Sequence, residues 1–99
     1  MMNAFARDIS HVFDNETEAT LYMIADTETV EDYYVFSLPI HSFTLVVKNE
    51  NEIELFLKYE KGFLNNPAIK EKMILEMKDM LRSHLNGDYL LKNGGYHDR

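Results

Sequence analysis

The chain has no cysteine, no tryptophan, only four glycines and only two prolines in 99 residues. Without cysteine there is no disulfide framework, no thiolate metal ligand and no thiol nucleophile. Four glycines do not build a phosphate-cradling loop, and neither G-x-S-x-G nor S-x-x-K with partners occurs. No apolar run is long enough for a transmembrane helix. The N-terminus shows no basic segment leading into an apolar one, so no secretory signal is expected. These absences fit a reducing, cytoplasmic setting and no membrane.

Positive charge is scarce where negative charge is dense. The net charge is −7, and between Arg7 and Lys48 no Lys or Arg occurs, while Asp14, Glu16, Glu18, Asp26, Glu28, Glu31 and Asp32 all do. Direct nucleic-acid binding needs Lys and Arg to displace phosphate counterions, so none is expected. A protein partner fits the charge better.

The hydrophobic fraction of 45% is that of a globular protein. We expect one α+β domain over residues 1–92 and a flexible C-terminal tail over 93–99. Met2, Phe5, Ile9, Val12 and Phe13 recur at helical spacing, which predicts a helix over about 3–13. Asp14-Asn15 ends it. Strands are predicted over about 19–25 and 32–38, the second closed by Pro39. A tight turn there would set Phe36 across from Phe43 and Tyr34 from Leu45.

Residues 42–48 and 52–59 alternate apolar and polar, and with Asn49-Glu50-Asn51 as a loop they read as a β-hairpin. Val47 then opposes Ile53, Leu45 opposes Leu55 and Phe43 opposes Leu57. On the other side Lys48 meets Glu52, Val46 meets Glu54 and Thr44 meets Phe56. The inner face would hold Tyr34, Phe36, Leu38, Phe43, Leu45, Val47, Ile53, Leu55, Leu57 and Tyr59. Asn66-Pro67 opens a last helix and Asn86-Gly87 closes it. Ile69, Met73, Met77, Met80, Leu81, His84 and Leu85 form its stripe. The predicted fold is a four-stranded antiparallel meander flanked by an N-terminal and a C-terminal helix, in the order α-β-β-β-β-α.

By this register the second sheet face carries Tyr33, Val35, Val46 and Phe56 among polar residues. Either Tyr22 and Ile24 or Leu21 and Met23 join them. Large apolar side chains left wet cost about 1.5–3 kcal/mol each. Either the helices cover both faces, or both sit on the richer face and the mixed one meets a partner. The second is our expectation, because covering both faces would leave little polar surface. Tyr33, Val35, Val46 and Phe56 are the candidate partner-binding residues, with a homodimer as the expected assembly.

No catalytic, cofactor-binding or metal-binding set is expected. His11, His41, His84 and His97 show no ligand spacing. Asp14 to Glu18 resembles the start of a calcium loop, but Ala19 and Ala25 stand where glycine and glutamate are needed. Met73, Met77 and Met80 read as core. We therefore expect a small acidic interaction or regulatory module, without catalytic activity, that acts as a homodimer. A second reading makes the acidic stretch, with Glu28, Glu31 and Asp32, a nucleic-acid mimic of a phage or mobile-element inhibitor. A third, a small enzyme or ligand-binding protein, would need a deep pocket with convergent polar groups.

Overall fold

A computed structural model describes residues 2–26, 33–60, 62 and 66–87. Four strands, β1 (Met2–Asp8), β2 (Thr20–Asp26), β3 (Tyr34–Leu38) and β4 (Phe43–Val47), form one sheet in the order β1-β2-β3-β4. Every neighbouring pair is antiparallel. Two helices follow, α1 (Glu50–Lys58) and α2 (Pro67–Leu85). The protein is α+β, and its described elements run in the order β-β-β-β-α-α.

Two predicted elements are corrected. The N-terminal helix over 3–13 is instead β1 followed by a 3-10 turn at Ser10–Phe13. Phe5 and Ile9 are still buried, but Phe5 points from a strand and pairs in register with Met23. Ser10 secures the exit: its N–H and hydroxyl both donate to Asp8 Oδ1, at 2.9 and 2.6 Å. Asp14 and Asn15 then take left-handed backbone angles, which these two residue types tolerate, and the chain reverses into β2.

The second correction removes the hairpin after residue 48. Residues 50–58 are helical, so none of the six pairings expected between 43–48 and 52–57 exists. Asn49 is the N-cap, its side chain accepting from the Glu52 N–H at 3.0 Å, while Glu52 Oε1 accepts from the Lys48 N–H at 2.7 Å. The Asn49 side chain thus satisfies one amide that the helix start leaves open, and Glu52 reaches back to the residue before the cap. Ile53 and Leu57, four residues apart, are the buried positions; Leu55 is 50% and Tyr59 68% exposed, not on the inner face.

The β3–β4 connection is also wider than a tight turn. Pro39–His41 form a 3-10 turn, Ser42 is left-handed at φ 51°, and Leu38 pairs with Phe43. Phe36 therefore lies opposite Leu45 and Tyr34 opposite Val47. The offset from the expected register is an even number of residues, so the faces do not exchange.

One core joins the layers. Phe5, Leu21, Met23, Phe36, Leu38 and Val47 of the sheet are packed with Ile53 and Leu57 of α1 and Met73, Met77, Met80 and Leu81 of α2. Both helices sit on this inner face. Asn66 caps α2 by accepting from the Ala68 and Ile69 N–H groups, with Pro67 at the first helical position. Gly87, at φ +76°, ends it in the left-handed region that favours glycine. The helices are clasped side by side by Glu50–Arg82 and Glu54–Lys78, each 2.7 Å or shorter. Arg7 ties β1 to α2 through Glu76 at 3.2 Å and Asp79 at 2.7 Å.

Candidate functional site

The sheet's outer face is the surface that the fold leaves uncovered among the described residues. Alternation along each strand fixes its membership. Ala4, Ile24, Val35 and Val46 are in register across all four strands, and Ala6, Tyr22, Ser37 and Thr44 form the next row. The first row is wholly apolar, and none of its members belongs to the buried core. Val46 is 47% exposed; Ala4, Ile24 and Val35 are half-buried. Tyr33, just before β3, is half exposed, and the Lys48 ammonium lies 5.4 Å from its ring centroid.

Three of the four candidate partner residues therefore stand together: Tyr33, Val35 and Val46. Phe56 does not join them. It lies on α1, which packs against the opposite side of the sheet, so the expected Val46–Phe56 neighbourhood is absent. The phase of β2 is resolved in favour of Tyr22 and Ile24 as outer-face residues. Ala4 and Ala6 are not legible in the sequence as outer-face residues, because the apolar spacing of the segment is helical and alanine gives little alternation signal. Glu28, Glu31 and Asp32, proposed as an acidic mimic surface, lie outside the described residues, as does His97.

Other polar clusters are structural. The open groove between α1 and α2, about 490 Å³, is lined by Glu54, Lys58, Lys70, Ile74, Leu75 and Lys78 among others. Its charges are engaged locally: Lys78 pairs with Glu54, and Lys70 Nζ donates to the carbonyls of Lys58 and Glu60 at 3.2 and 3.0 Å, capping α1. The Lys78 hydrogen bond holds the Glu54 carboxyl below its usual pKa, and Arg82 does the same for Glu50. His11 Nε2 lies 2.9 Å from Glu76, and the His41 ring stacks at 5.2 Å on Phe13. No group of three metal-ligating side chains converges among the described residues. No described helix is long and apolar enough to cross a membrane.

Comparisons of the chain with protein families, with characterised proteins and with solved structures find no match.

Proposed function

We propose that the chain is a small, non-catalytic, cytoplasmic interaction module that works as a homodimer joined through the outer face of its sheet. The observation that carries this reading is the uninterrupted apolar row Ala4–Ile24–Val35–Val46 on a face that no described helix covers. An antiparallel sheet with one wet face normally alternates to polar side chains on that face. Here the centre of the face is hydrophobic and its margins are polar, the pattern of a contact surface.

Val35 sits in the middle of the row. Val35→Glu is expected to convert a dimer into a folded monomer, read by light scattering with far-UV circular dichroism as the control. A wild-type chain that stays monomeric at high concentration rejects the proposal. The acidic-inhibitor reading makes a different prediction: binding to a nucleic-acid-binding protein that is competed by DNA and weakens steeply with salt.

A further inference from the structure

Asp8 and Lys48 stand at opposite corners of the outer face. β1 and β4 are the edge strands and run in opposite directions, because three antiparallel steps separate them. Asp8 ends β1 in the phase of Ala4 and Ala6, opposite Thr20. Lys48 follows β4 in the phase of Thr44 and Val46, with its amine over the Tyr33 ring. The two rows between these corners, from Ala6 to Thr44 and from Ala4 to Val46, hold no charged residue. Strand spacing and rise place the corners about 25 Å apart along the diagonal.

Asp8 is held ionised by its surroundings. The hydrogen bonds from the Ser10 hydroxyl and then from the Ser10 N–H keep its carboxyl below the usual pKa. Glu18 lies beside it, sharing a surface depression with Asp8, Ser10, Ala19 and Thr20, so this corner is acidic. Asp26, opposite Met2, is placed by its register at the same end of the face as Lys48, two strands away from it, so the basic corner is Lys48 itself.

One acidic and one basic corner on an uncharged centre are self-complementary. A two-fold axis lying in the plane of the face, across the Asp8–Lys48 diagonal, sets the acidic corner of each copy on the basic corner of the other. The same operation superposes the apolar centres. An axis along the strands, or perpendicular to them, brings neither charge to an opposite charge. We infer that a second copy stacks on the outer face crosswise, with Asp8 of each chain against Lys48 of the other and the strands closer to orthogonal than to aligned. The inference rests on the homodimer reading above and specifies its geometry.

The area sets the strength. Four strands of five to seven residues present a projected face of about 400 Å², at the small end against the ~800 Å² per partner of a standard stable interface. The dimer is thus expected to be weak, and its dissociation constant open to small electrostatic changes.

The test is a charge swap read by sedimentation equilibrium. Lys48→Glu and Asp8→Lys should each raise the dissociation constant on the order of ten-fold at low salt, and the double variant should return it close to wild type. The differences should shrink at about 1 M salt. Asp8→Asn retains an oxygen for Ser10 if Asp8→Lys disturbs the turn, and it should weaken the dimer and flatten its salt dependence. Single variants with unchanged affinity, or a double variant with no rescue, overturn the crosswise geometry. If Val35→Glu still yields monomers in that case, the face reading stands and only the orientation falls. A monomeric wild type removes both.

Discussion

His84 shows how one side chain can record the docking of a helix on a sheet. Its ring lies 5.1 Å from that of Phe5 on β1 and 5.8 Å from that of Tyr34 on β3. Its Nδ1 is buried with no hydrogen-bond partner among the described residues, and burial lowers its pKa from 6.5. The folded imidazole therefore takes up a proton less readily than the unfolded one. As pH falls below the unfolded value the unfolded state binds more protons, so stability declines on the acid side and is undisturbed above it. His84→Leu should remove this part of the decline. Urea midpoints for both proteins at about pH 7.5 and about pH 5.5 give the test; equal losses in the two would assign the acid sensitivity to other groups.

The two elements that the sequence hid were hidden for the same reason. Short segments carry too few turns for a period to be decisive, and in each case the wrong period fitted well. In 52–59 the alternation is real, yet burial follows Ile53 and Leu57. The deciding signal was local: Asn49 with Glu52 three residues on, acids in the first turn and Lys58 in the last. β2, β3, β4 and α2 were legible because punctuation agreed with pattern at Pro39, Asn66-Pro67 and Asn86-Gly87.

Substitutions in α1 separate helix from hairpin. Leu55→Lys should change stability by less than about 0.5 kcal/mol, because the side chain is half exposed. Ile53→Ala should cost about 2–5 kcal/mol. Denaturant unfolding measures both, and a large loss for Leu55→Lys would contradict the helix. Loss of the α2 cap in Asn66→Ala should cost about 1 kcal/mol by the same measurement.

For the molecule as a whole, the layering decides which residues are available. Both helices go to one side, so the outer face is left with what its strands supply. That outcome is within reach of the sequence, since alternation alone places Tyr33, Val35 and Val46 on the second face. The position of Phe56 is not, because it depends on the misread segment. If the outer face joins two copies, the folded state gains stability by mass action. About a hundred-fold rise in protein concentration should then raise the melting temperature measured by scanning calorimetry. A melting temperature independent of concentration would count against dimerisation.

The strands follow one another in chain order, but the helix that covers β1 lies at the far end of the described chain, with Arg7 meeting Glu76. During synthesis the meander can form as soon as β4 is made, yet the methionines of α2 that share the core with Phe5 and Phe36 arrive later. Until α2 has left the ribosome, α1 alone covers the inner side of the nascent sheet. A chain stalled before Pro67 would be a client for chaperones, and solubility in the cell should depend on how quickly translation passes α2.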